Sequence, residues 1–264
     1  MAKKRIIPKL QIIESTIFKN ELVLVITQNF NQIKEIGDPI SQAKIYEAQS
    51  ADELILSYLS PSKSQVNNRN LFVEKLRELS KEVFIPICVG GGIKKLNDIE
   101  ILLQNGADKI IINSISVQNP NFIKESSLSF GSQCIVVAVD YRVDNNNKIH
   151  IYSSSGKKKY QMDIYEWISN IVDLGAGEIV LTNIDKDGSM EGLDITNLNE
   201  LTKKIQIPII SSGGCGNAQH FIEGFLKTKS DAIAAGTFFC MQDQNTIQTR
   251  SQIKNSGINV RTLN

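Results

Sequence analysis

Short runs of apolar residues alternate along the chain with longer segments in which apolar positions recur at three- and four-residue spacing. The runs are Arg5–Ile12, Asp52–Leu59, Ile85–Val89, Lys109–Ile112, Cys134–Asp140, Glu178–Thr182, Pro208–Ser211 and Ala232–Ala235. Their near-continuous Ile, Val, Leu and Ala content predicts strands buried on both faces, as in a parallel sheet. Asn70–Lys81 and Ile164–Leu174 carry the helical spacing. Eight strands with helical crossovers make either a closed barrel or a large open sheet.

An internal repeat favours the barrel. Ile85-Pro-Ile-Cys-Val-Gly-Gly-Gly-Ile93 is echoed by Ile207-Pro-Ile-Ile-Ser-Ser-Gly-Gly-Cys215, with Pro86 and Gly91 at the same offset from Pro208 and Gly213. Each copy continues through a helical segment into a strand opened by aspartate, Asp108 or Asp231. Four β/α units repeated once give eight, and two equivalent halves close on each other without leaving inequivalent edges. The expected fold is a single (β/α)8 TIM barrel over residues 1–264, for which about 250 residues is typical. Residues 142–160, rich in Ser, Gly and Lys near Lys157, are expected to form a hairpin inserted after the fifth strand.

Composition adds mainly exclusions. The net charge of +1 gives no reason to expect nucleic acid or an acidic membrane as a partner. Cys88, Cys134, Cys215 and Cys240 are scattered, so reduced thiols are expected and no metal site. The basic start lacks the apolar core of a signal peptide, and no stretch approaches a membrane span of about 20 residues. A soluble cytoplasmic protein without a cofactor is the expectation.

In such barrels the chemistry sits where the strands end at their C-terminal side. Gly91 and Gly92, Ser212, Gly213 and Gly214, and Gly236 with Thr237 follow the third, seventh and eighth runs. Glycines there admit an anion to backbone N–H groups, and a following helix N-terminus adds favourable dipole; tight strand-to-helix turns are the plain alternative. The equivalent positions imply a ligand with two phosphates. Asp140 closes an apolar run and is a candidate general acid or base, or else a loop cap. Asn113, Ser114, Thr182, Asp187 and Gly188 supply further polar or turn positions, Asp-Gly being also an ordinary turn. His150 and His220 are expected at the surface or in caps, and Trp167 in packing.

Arg5-Ile-Ile-Pro8, Gly37-Asp-Pro39, Asp52-Glu-Leu54, Val89-Gly-Gly-Gly-Ile93, Gly106-Ala-Asp-Lys109, Phe130-Gly-Ser-Gln133, Val137-Ala-Val-Asp140, Gly175-Ala-Gly-Glu178, Leu181-Thr-Asn-Ile-Asp-Lys-Asp-Gly188, Ser212-Gly-Gly214 and Gly257-Ile-Asn-Val-Arg261 together resemble the cyclase subunit of imidazole glycerol phosphate synthase. The resemblance spans almost the whole chain and implies the same barrel. It implies a lyase-type reaction of histidine biosynthesis. Ammonia joins a bisphosphorylated formimino-aminoimidazole ribonucleotide, the imidazole ring closes, and an aminoimidazole carboxamide ribotide leaves. It implies a class I glutaminase docked at the N-terminal face, with ammonia entering through a ring matched here by Arg5, Glu53, Lys109 and Glu178. Of the family's two acid–base aspartates, Asp140 matches one and Gln11 replaces the other. A family aspartate falls on Tyr58, and a phosphate-contacting lysine of the first loop, Glu14–Phe30, falls on Ile26. Two further readings follow from these departures. One is a divergent paralogue relaying ammonia to a sugar amidotransferase that builds acetamidino groups; the other is a barrel that only binds and activates a glutaminase.

Overall fold

The computed structural model describes residues 3–59, 69–241 and 245–262. The first half runs β1 (Arg5–Glu14), β2 (Leu22–Gln28), β3 (Gln32–Gly37), α1 (Pro39–Ala48), β4 (Leu54–Tyr58), α2 (Arg69–Glu82), β5 (Ile87–Gly90), α3 (Leu96–Gln104), β6 (Lys109–Ile112), α4 (Ser114–Gln118) and α5 (Asn121–Phe130). The second runs β7 (Ile135–Val143), β8 (Ile149–Ser153), β9 (Lys158–Tyr160), α6 (Ile164–Asp173), β10 (Glu178–Asn183), α7 (Ile195–Lys203), β11 (Ile209–Ser212), α8 (Ala218–Lys227), β12 (Ala232–Ala235), α9 (Thr237–Met241) and α10 (Thr246–Asn255). All eight apolar runs are strands. β1, β4, β5, β6, β7, β10, β11 and β12 pair in parallel in that order, and β12 returns to β1, closing a (β/α)8 barrel.

Local chemistry accounts for the elements. In α6, Asp163 caps the start by accepting from the Tyr165 and Glu166 amides at 2.8 and 3.1 Å, a contact worth about 1 kcal/mol. Ile164, Trp167, Ile168 and Ile171 are the buried stripe of the same helix. The repeated aspartates have a structural task. Asp52, Asp108 and Asp231 each accept the backbone amide of the neighbouring strand's first residues, Ile6, Ile87 and Ile209, at 2.8, 2.8 and 3.0 Å. Each therefore ties the start of one strand to the next.

Two strands outrun their expected limits. β1 continues to Glu14 and β7 to Val143, so Gln11 and Asp140 lie inside strands and not at their ends. Each extension is held by an antiparallel hairpin, β2–β3 on β1 with Gln11 opposite Val25, and β8–β9 on β7 with Asp140 opposite Tyr152. The segment Glu14–Phe30, expected as a loop, thus contains a strand.

Period-two alternation places Arg5, Ile7, Lys9 and Gln11 on one face of β1. Ile7, Ile55, Cys88, Val136, Ala138, Val180, Ile210, Ala232 and Ala234 form a core separate from the main one, filling the lumen. Polar residues lie below and above this layer.

Candidate active site

At the N-terminal end of the lumen, the four charges expected there form a closed ring. Arg5 donates to Glu53 at 2.6 Å and to Glu178, while Lys109 lies 3.0 Å from Glu53 and 2.9 Å from Glu178. The carboxylates are nearly buried, whereas the cations keep about a quarter of their side chains exposed (23% and 24%). Burial opposes the Lys109 ammonium, but Glu53 and Glu178 outweigh it and raise its pKa. Just above, burial pushes the Cys88 thiol well up, so it stays neutral.

At the opposite end lies a cavity of about 710 Å³, inside the roughly 300–1,000 Å³ range of small-molecule sites. Gln11, Gly91, Gly92, Asn113, Ser114, Asp140, Thr182 and Ser212 line it. A smaller pocket of about 20 Å³ opens beside it, walled by Gln11, Asp187, Gly188, Ser212, Gly213, Gly214, Gly236 and Thr237. Every residue picked from the sequence for the barrel mouth therefore borders one of two adjoining spaces.

Asp140 is buried and accepts from Asn113 Nδ2 at 2.6 Å. Burial pushes its carboxyl up to about 6, against the charge of Lys9 and the hydrogen bonds of Asn113 and Thr182, and with help from Asp187. A carboxyl poised there exchanges protons near neutral pH, as a general base must. Asn113 Oδ1 is buried without a hydrogen-bond partner among the described residues, an acceptor suited to a ligand donor.

Gln11 is also buried, on the facing side of the barrel. Thr27 Oγ1 stands 2.6 Å from Asp187 Oδ2 and 3.1 Å from Gln11 Oε1, an oxygen that exchanges places with the amide nitrogen when the carboxamide turns about its last bond. One hydroxyl proton cannot serve both, and the carboxylate holds it at the shorter distance. The carboxamide is satisfied when its NH2 faces Thr27, which leaves its carbonyl oxygen for the cavity. Gln11 thus offers an acceptor but no group that takes up or releases a proton near neutral pH.

Several expectations need correction. The glycine pairs do not run straight into helices, since α3 starts at Leu96 and α8 at Ala218, whereas Gly236 leads directly into α9, whose first residue Thr237 walls the smaller space. Ile26 borders neither cavity; its neighbour Thr27 and Phe30 at the hairpin turn do. Asp187 is no ordinary turn residue: it is buried, and its carbonyl accepts the Asn29 amide at 3.0 Å. His150 is buried and bonded to Asp144 at 2.7 Å, not at the surface, whereas His220 accepts the Gly216 amide at 3.0 Å ahead of its helix. Tyr58 lines the large cavity, stacks on Phe72 at 5.0 Å and donates to Glu14 at 2.8 Å. Ser114 accepts the Ser154 amide at 3.1 Å, pinning the β8–β9 turn at the mouth. The sequence reading missed Lys9, which borders both spaces; its signal was the strand alternation that also selects Arg5 and Gln11.

The family described as "Histidine biosynthesis protein" matches residues 5–243. The chain belongs to that family. Within it, the chain is 41% identical over 262 residues to a Prochlorococcus marinus protein provisionally named imidazole glycerol phosphate synthase subunit hisF2, covering 99% of each. It is 38% identical to the imidazole glycerol phosphate synthase subunits HisF of Streptococcus mutans and Hydrogenobaculum, covering 99% of this chain and 100% of each of those. Membership of the histidine biosynthesis family agrees with the barrel. Among the described residues there is no cluster able to hold a metal and no helix long and apolar enough to cross a membrane.

Proposed function

We propose that the protein is the ammonia-using synthase subunit of a glutamine amidotransferase pair, taking ammonia from a class I glutaminase at its N-terminal face. The observation carrying this reading is the ring of Arg5, Glu53, Lys109 and Glu178 at the foot of a lumen whose next layer is neutral and apolar. Charged ammonium pays a heavy desolvation cost in such a layer, whereas neutral ammonia crosses it. The lumen leads to the mouth holding Asp140.

There the ligand is a bisphosphorylated formimino ribonucleotide and the chemistry is imidazole ring closure, a reading supported by relatives named imidazole glycerol phosphate synthase subunits. Asp140 takes a proton from the attacking nitrogen as the new C–N bond forms, the C–N bond to the aminoimidazole carboxamide ribotide breaks, and the departing nitrogen takes up a proton. Asn113 orients that carboxylate through its 2.6 Å bond. Gln11 holds its partner by hydrogen bonding alone, so turnover runs below that of a site with two acids, by about 10²- to 10⁴-fold. Gln11 also favours a second reading, in which the ammonia goes on to a sugar amidotransferase and the mouth has a different acceptor.

The test supplies amide-labelled [15N]glutamine to the complex with its glutaminase, in unlabelled ammonium buffer, with the formimino ribonucleotide. The reading expects label in the imidazole above its share of bulk ammonia. Failure to form the complex, or label diluted to the bulk value, contradicts it. Label found only in an amidino sugar selects the second reading.

A further inference from the structure

Lys9 stands two positions above Arg5's neighbour Ile7 on the lumen face of β1, and its situation contrasts with that of Arg5. Arg5 meets two carboxylates. Lys9, half-buried, makes no ion pair among the described residues, and its Nζ rests 5.6 Å from the centre of the Phe30 ring. The Asp140 carboxyl feels the Lys9 charge but makes no ion-pair contact with it among the described residues, and a partly desolvated ammonium without a contacting carboxylate gains from a ligand that brings the opposite charge. Lys9, Gln11 and Ser212 are the residues common to the two spaces of the mouth. The smaller space is walled by Gly213 and Gly214, both with positive φ, and by Gly236, where an added Cβ would lie 3.2 Å from the Lys9 carbonyl oxygen. Small residues that bare backbone amides, next to one uncommitted cation, make a seat for an oxyanion.

We propose that Lys9 is the anion anchor of the mouth, its ammonium pairing with a phosphate group of the ligand seated against Gly213, Gly214 and Gly236. This rests on the reading of the mouth as a site for a phosphorylated ligand and deepens it. With a carboxamide at Gln11 and an ammonium at Lys9, strand one selects a strongly anionic acceptor over a neutral sugar. Asp187 in the smaller space accepts from Thr27 at 2.6 Å and makes no ion pair with Lys9 among the described residues.

The experiment titrates inorganic phosphate into the purified full chain by calorimetry, for the native protein, Lys9→Met and Lys9→Arg, at low and high salt. Lys9→Met is expected to weaken phosphate binding about tenfold or more, the range for a charge-assisted contact, and to flatten the salt dependence. Lys9→Arg should keep most of the affinity. Thermal melting in phosphate-free buffer shows that Lys9→Met is folded, and the lost unpaired charge should leave it at least as stable as the native chain. Equal phosphate affinity in native and Lys9→Met proteins overturns the role of Lys9 while sparing the site. No phosphate binding by the native chain overturns the phosphorylated-ligand reading itself, and the anchor with it.

Discussion

Burial in the mouth pushes the Asp140 carboxyl up to about 6 in place of the ordinary 3.8. The folded state therefore binds this proton more tightly than the unfolded chain does. The associated stability is complete below pH 3.8 and is lost as pH rises through about 6. Asp140→Asn removes that loss. Urea unfolding should find it more stable than the native protein by up to about 3 kcal/mol at pH 8 and little changed at pH 3.5, with ring-closing activity abolished. An unchanged difference at the two pH values would show that the carboxyl is not strained. Asp140 was readable from the sequence because it closes the apolar run Cys134–Val139, whereas Gln11, followed by Ile12 and Ile13, was readable only as the place where the family resemblance puts an acid. Lys9 was not, since chemistry was sought at strand ends and Lys9 sits one inward step deeper. Thr27 was hidden for a different reason: its contact with Asp187 joins residues far apart in the chain.

The hairpins set the shape of the mouth at the scale of elements. β2 and β3 are joined by three residues, of which Asn29 and Phe30, both with positive φ, are the centre of a turn closed by the Asn31 amide donating to the Gln28 carbonyl at 3.0 Å. Asn suits that conformation, but Phe does not announce it, and so the segment read as a loop. Gly188 locks this hairpin to the loop after β10. Its φ is +72°, and an added Cβ would stand 2.1 Å from the Thr27 carbonyl oxygen. Gly188→Ala should cost about 1–3 kcal/mol and speed hydrogen exchange at the Asn29 amide, which bonds to Asp187. Unaltered exchange there would mean the hairpin is held by other contacts. At the other end, Glu178→Gln leaves Arg5 and Lys109 short of one partner. A destabilisation of about 3 kcal/mol is expected, the lower end for broken buried pairs because both cations are partly exposed. Glutamine-dependent turnover should fall further than turnover with added ammonium salt. Equal falls would make the ring purely structural.

For the whole molecule, the repeat was the decisive sequence signal, because it counted the strands and implied closure. Asp52, Asp108 and Asp231 give it a physical basis, each tying one strand's start to its neighbour. Asp52-Glu-Leu-Ile55 is matched in the second half by Gly177-Glu-Ile-Val180, and at Gly177 an added Cβ would meet the Ser132 carbonyl oxygen at 2.1 Å, so backbone crowding bars the aspartate there. Sequence could place the two ends of the lumen but not the orphaned Asn113 oxygen or the uncommitted ammonium between them, which depend on packing across the barrel. The proposed function joins a charge-ringed foot, a neutral lumen and a mouth with one proton-exchanging group. Its most direct test is ring closure of the formimino ribonucleotide by the purified protein with excess ammonium salt at alkaline pH, beside Gln11→Asp. Slow conversion to the imidazole product by the native chain, accelerated about 10²- to 10⁴-fold in Gln11→Asp, is the predicted result. No product from either protein under saturating ammonium would contradict it.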